Sequence, residues 1–174
     1  METNSTPVTT TSVALRYGLL TGLVSVIFSF GLNVMHQEGS PLRYLSFAIL
    51  IGGLVLAMNH FKQQNRGFMS YGQGLGIGAV LSAVVGAISG IFAYVYMNFI
   101  DTDMLGRITE KMRADMEARG GLSDEQIDQA VAMSSKFMNG PVMVGAALLG
   151  TLLIGVLLSL VISAIIKNAQ PEFE

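Results

Sequence analysis

The sequence predicts an all-α membrane protein with four transmembrane helices and an amphipathic helical hairpin between the third and fourth. Three observations predict it. Apolar residues make up 51% of the 174-residue chain and charged residues only 13%, with a mean hydropathy of +0.55. Soluble domains carry roughly 25% charged residues, because their surfaces need them. Most of the charges are also gathered between Asp101 and Lys136, leaving long uncharged runs on both sides. By length the chain is one domain. It divides into a polar N-terminal tail (residues 1–12), a membrane domain (13–167) that includes the extramembrane hairpin (101–140), and a C-terminal tail (168–174).

A helix needs about 20 apolar residues, at 1.5 Å rise each, to cross roughly 30 Å of hydrocarbon. The first span is expected from Val13 to Met35, with Arg16 able to snorkel toward the head groups. The leading METNSTPVTTTS carries no Lys or Arg, so this run reads as a retained anchor and not a cleaved signal peptide. The second span runs from Leu42 to Asn59, behind Pro41 and before the polar His60 and Lys62. The third runs from Tyr71 to Ile100, longer than one crossing requires, and must tilt or project into water. The fourth runs from Pro141 to Ile166, with proline in the first turn where its missing N–H costs nothing.

The segment between the last two spans has different chemistry. Leu105, Ile108, Met112 and Met116 recur at helical spacing, and Asp101 or Asp103 is placed to cap the helix they define. Gly120-Gly121 ends it. Ser123 and Gln126 then form a capping box, with Leu122 and Ile127 as its staple, and Ile127, Ala130, Val131, Ser134 and Phe137 form a second stripe.

Small residues recur every fourth position within the spans. The third has Gly74, Gly78, Ser82, Gly86 and Gly90, flanked by Ala79, Ala83 and Ala87. The fourth has Ala147, Thr151, Gly155, Ser159 and Ser163, and the first has Gly18 and Gly22. Residues four apart share a helix face, and small ones let backbones approach closely in lipid. These ridges are therefore expected to be helix contacts. The stripe Thr21, Ser25, Ser29 and Asn33 could instead line a polar path, although Ser and Thr in membrane helices usually bond their own or a neighbouring helix. The glycine run from Gly72 to Gly78 lacks the strand context of a dinucleotide fingerprint and the Gly-Lys-Ser/Thr of a P-loop. A discontinuous helix there is the sharper alternative, and a tightly packed helix start the simpler one.

Few residues could carry chemistry. His36 and His60 fall at opposite ends of one helix, so they cannot share a metal. Asp101 and Asp103 are accounted for by capping, and Gln73 and Asn98 by interhelical hydrogen bonds. No Ser/His/Asp order and no HExxH motif is present, so neither an enzyme nor a cofactor is expected. The lack of cysteine excludes disulfides, thiolate metal sites and thiol catalysis. The net charge of −2 gives no reason to expect nucleic acid. Ion-coupled transporters keep ionisable groups within their spans, and here only Arg16 and Arg43, near the edges, qualify.

Four spans place both termini on one side. The tight loop from His60 to Ser70 carries only positive charge, which favours a cytoplasmic location for it and for the termini. A count of Lys and Arg alone leans slightly the other way.

Arg66-Gly67-Phe68-Met69-Ser70-Tyr71-Gly72-Gln73-Gly74, followed by the aromatic run Tyr94-Val95-Tyr96-Met97-Asn98-Phe99-Ile100-Asp101, resembles the signature of the domain of unknown function 4199 family. The resemblance extends from about Val13 to Lys167. It implies a four-helix bacterial inner-membrane protein of a kind found mainly in Bacteroidota, and brings no activity or catalytic residues with it. The expected function is thus a non-catalytic membrane subunit, partner-binding or structural. Its partners would be the lipid bilayer and either a second copy or another membrane protein. A small-solute channel or uncoupled transporter is the alternative.

Overall fold

The structure is a computed structural model that describes residues 8–37, 40–138 and 140–169. Residues 1–7 and 170–174 of the two tails lie outside the described residues. Among those described, the chain forms six α-helices: α1 (Thr10–Val34), α2 (Leu45–Gln64), α3 (Tyr71–Val95), α4 (Met104–Arg119), α5 (Asp124–Phe137) and α6 (Gly140–Ile166). α1, α2, α3 and α6 are long and apolar enough to cross a membrane, as the run lengths predict.

The ends of the helices differ from the expected ones for identifiable reasons. α1 starts earlier than Val13, because the Thr9 side chain accepts the backbone N–H of Ser12 and caps the helix within the polar tail. A single 3-10 turn, Pro41–Tyr44, precedes α2. α2 continues past Asn59 to Gln64, since Phe61 is buried in the core and Lys62 Nζ donates to the carbonyl of Ile166 at 3.0 Å. α3 ends in a π turn, Tyr96–Ile100, closed by the Asp101 N–H donating to the Tyr96 carbonyl at 2.8 Å. That wide turn carries the extra length of the third span.

Two polar residues act locally, not between helices. Gln73 closes a capping box at the start of α3: its side chain accepts from the N–H of Ser70, whose hydroxyl accepts from the N–H of Gln73. Asn98 donates to the carbonyl of Tyr94 in its own helix, at 2.8 Å. The expectation of interhelical bonds for these two is corrected accordingly. The helix-start signal Ser-x-x-Gln was present in the sequence.

α3 lies between α1 and α6, and α2 touches all three. The most extensive contact is between α3 and α6. Moving four residues along α3 corresponds to moving four residues back along α6. A side chain added at Gly74 would overlap Ser163, at Gly78 Ser159, and at Gly155 Ser82. At Gly86 it would lie 2.9 Å from Leu148 Cα and 3.1 Å from Thr151 Cβ, and at Gly90 3.1 Å from the Val144 carbonyl. The α1–α3 contact runs in parallel. A side chain at Gly18 would meet Val84 Cβ at 2.9 Å, and one at Gly22 would meet Ile88 Cδ1 at 2.8 Å.

The zipper serines are not equivalent. Ser159 donates to the Gly155 carbonyl at 2.6 Å, and Ser163 Oγ lies 3.8 Å from Met58 Sδ. Ser82 Oγ is fully buried and has no hydrogen-bond partner among the described residues.

Gly86→Ala should destabilise the bundle by about 1–3 kcal/mol, because backbone atoms of α6 stand where its methyl would go. Ser82→Ala should be neutral or stabilising, since it removes an unsatisfied buried hydroxyl. Ser159→Ala should cost less than Gly86→Ala, because the bond it removes runs to the Gly155 carbonyl of its own helix. Unfolding of the three variants in mixed micelles by titration with a denaturing detergent checks this order.

Candidate functional site

Alternation of the spans brings the end of α1, the start of α2, the end of α3 and the start of α6 to one boundary of the bundle. α4 and α5 emerge at that boundary. The two are joined at Gly120 and Gly121, whose φ values of +66° and +87° suit residues without a side chain. Arg113 of α4 and Asp128 of α5 form an ion pair across the two helices, and Asp128 holds the Arg113 guanidinium above its ordinary pKa. The capping box of Ser123 and Gln126 starts α5. Ile127 is buried, while Met133 and Phe137 are exposed.

The first turn of α4 is held to the end of α3 by a forked pair. Arg107 donates to Asp101 Oδ1 at 3.1 Å and to Oδ2 at 2.6 Å. The Arg107 bond, with the Arg107 charge, holds the Asp101 carboxyl below the ordinary carboxylate range against the opposing effect of burial, helped in smaller measure by the Asp103 backbone N–H. Asp103 occupies the N-cap position of α4 but its side chain makes no capping bond. Capping is therefore not the main role of this acidic pair, since Asp101 chiefly binds Arg107.

A groove of about 660 Å³ opens between α4 and the α1–α2 turn. One wall is a single face of α4. Arg107, Lys111, Asp115 and Arg119 follow one another at four-residue intervals, with Ile108, Met112 and Met116 alongside them. His36 and Arg43 approach from the α1–α2 turn, and Met138 from the end of α5. The Arg43 guanidinium lies 5.1 Å from the centre of the Tyr44 ring and donates to its hydroxyl at 3.3 Å. Among the described lining residues, cationic side chains outnumber the one carboxylate, and the apolar part is mostly methionine. The described lining thus combines positive charge with apolar surface.

The residues singled out from sequence fall elsewhere. Thr21 is buried in the α1–α2 contact, where a side chain at Gly53 would collide with it. Ser25 is buried, and Ser29 and Asn33 are half-buried. None of these four lines the groove. The ridge residues Gly18, Gly22, Gly74, Gly78, Ser82, Gly86, Gly90, Thr151, Gly155 and Ser159 all lie in the helix contacts described above. His60 stacks obliquely on Tyr17, with ring centres 5.3 Å apart, and accepts from Gln64 at 2.9 Å. Among the described residues, no group of three or more His, Cys, Asp or Glu is gathered to hold a metal. Arg43 and the basic row of α4 were missed as site residues. The signal for the row was its four-residue spacing beside the stripe already recognised.

These features define a helical membrane protein of four spans with an extramembrane helix pair. The chain belongs to the family described as Protein of unknown function (DUF4199), whose sequence model matches residues 16–168. No curated protein and no solved structure matches it.

Because the folded pKa of Asp101 is lowered, the Asp101–Arg107 pair should stabilise the protein fully above the ordinary carboxylate pKa of 3.8. That stability is lost as the pH falls through the lowered folded value. A thermal midpoint followed from pH 7 to pH 2.5 in detergent should drop further for the wild type than for Asp101→Asn, whose midpoint is already lower at neutral pH.

Proposed function

We propose that the protein is a non-catalytic inner-membrane subunit that associates with other transmembrane helices through the face of α3 left open by its own bundle. The observation that carries this reading concerns Gly72 and Gly76. Both are exposed, one turn apart, and among the described residues nothing outside their own helix lies within 4 Å of where their side chains would be. Ala83 and Ala87, half-buried, continue the same face. In lipid, a small-xxx-small face attracts a second helix through close backbone contact. The glycines two positions away, Gly74 and Gly78, are already covered by α6. The channel alternative has less support, because Thr21 and Ser25 are buried in helix contacts.

Gly72→Leu and Gly76→Leu should leave the thermal midpoint of the isolated chain within the small range expected of exposed positions. The wild type should give a higher-mass species on native gels in mild detergent, and the same variants should lose it. A wild type that runs as a lone monomer across repeated preparations would overturn the reading.

The termini are proposed to face the cytoplasm. The chain has no cysteine, so Ser5→Cys and Ser123→Cys can be labelled one at a time with an impermeant maleimide in intact spheroplasts. Labelling of Ser123→Cys alone is expected. Labelling of Ser5→Cys, with or without the other, would reverse the orientation.

A further inference from the structure

We infer that the groove between α4 and the α1–α2 turn is a binding site for an anionic phospholipid of the bilayer that the four spans cross. Position, charge and surface chemistry converge on this occupant. His36 follows the last turn of α1 by two residues, and Arg43 lies in the turn that opens the second span. The groove therefore begins at the height where lipid head groups lie. Among the described residues, its α4 wall sets Arg107, Lys111 and Arg119 in one row, with Asp115 as the one carboxylate of the lining. In a chain whose net charge is −2, this is a local excess of positive charge.

Arg107 is engaged with Asp101, and Arg43 and Arg119 are assigned to the phosphate. Arginine favours phosphate because its planar fork offers two parallel donors. Cationic side chains at the membrane boundary attract anionic head groups, an attraction that falls off within a Debye length. Met112, Met116 and Met138 give the remaining wall a flexible apolar surface. That surface suits the glycerol backbone and the first methylenes of an acyl chain. A soluble phosphate would make no use of it.

The chain contains no tryptophan, so a single introduced one reports its local lipid. Full-length Met116→Trp is reconstituted into phosphatidylcholine vesicles containing brominated phosphatidylglycerol or brominated phosphatidylcholine. Leu153→Trp, on the lipid-exposed side of α6, serves as reference. The expected preference for phosphatidylglycerol at Met116→Trp is about three- to ten-fold over the reference. It should fall to the reference value when Arg43→Gln and Arg119→Gln are added, with helix content unchanged. Met138→Trp provides a second reporter from the α5 side. Native mass spectrometry of the wild type from mixed micelles should show the same bias without any substitution. Equal quenching at groove and reference positions would overturn the proposal. So would a preference abolished by millimolar inorganic phosphate, which would assign the groove to a soluble anion.

Discussion

The bundle depends on how closely the backbones of α3 and α6 approach. In hydrocarbon, two helices gain nothing by hiding apolar side chains from lipid, so their attraction rests on van der Waals contact at short range and on a few hydrogen bonds. The sequence supplies that range by removing side chains in a reciprocal pattern. Gly74 and Gly78 of α3 receive Ser163 and Ser159 of α6, and Gly155 of α6 receives Ser82 of α3. Glycine and serine change places along the contact, so each helix contributes both knobs and holes. α1 then joins α3 through Gly18 and Gly22, which makes α3 the helix on which the other contacts converge.

The polar end near the termini is fastened by a separate set of bonds. The last carbonyls of a helix lack intrahelical partners. Here the Lys62 ammonium takes that of Ile166, a favourable position for a cation at a helix C-terminus. Met69 and Asn168 exchange two backbone hydrogen bonds of 2.9 Å, and the Asn168 side chain donates to the Gly67 carbonyl. The segment Arg66 to Gly74, whose pattern resembles the family signature, thus forms the α2–α3 turn, ties down the end of α6 and caps α3. A turn with left-handed residues at Arg66 (φ 56°) and Gly67 (φ 85°) tolerates few sequences. Its distinctiveness in the chain is explained by structure, without recourse to catalysis.

The spans were legible in the sequence because run length and charge segregation are local properties. The capping box of Ser123 and Gln126 was legible for the same reason. The matching box of Ser70 and Gln73 carried an equal signal, which was obscured by reading Gln73 as a residue within a span. Which glycines meet which helix was not legible. Gly72 and Gly76 alternate with Gly74 and Gly78 in one run, and periodicity alone cannot tell the covered pair from the open pair. That distinction depends on where α6 crosses, about eighty residues further along the chain.

The groove shows how average charge can conceal a site. The acidic residues of α4 other than Asp115, Glu110 and Glu117, are exposed and do not line it. Over residues 101–140 eight acidic residues stand against five basic ones, so the segment as a whole looks acidic. Separated by helical position, they leave Arg107, Lys111 and Arg119 on the face turned to the α1–α2 turn. The Asp101–Arg107 fork fixes the first turn of that face to the end of α3, while the Arg113–Asp128 pair joins α4 to α5 from another side of the helix. Charge on α4 is therefore divided by direction: one side holds the hairpin together and another faces the α1–α2 turn. A helix whose only task was to stay in water would have no need of that division. Its existence is the physical reason to regard α4 as part of a site and not as a connection between spans.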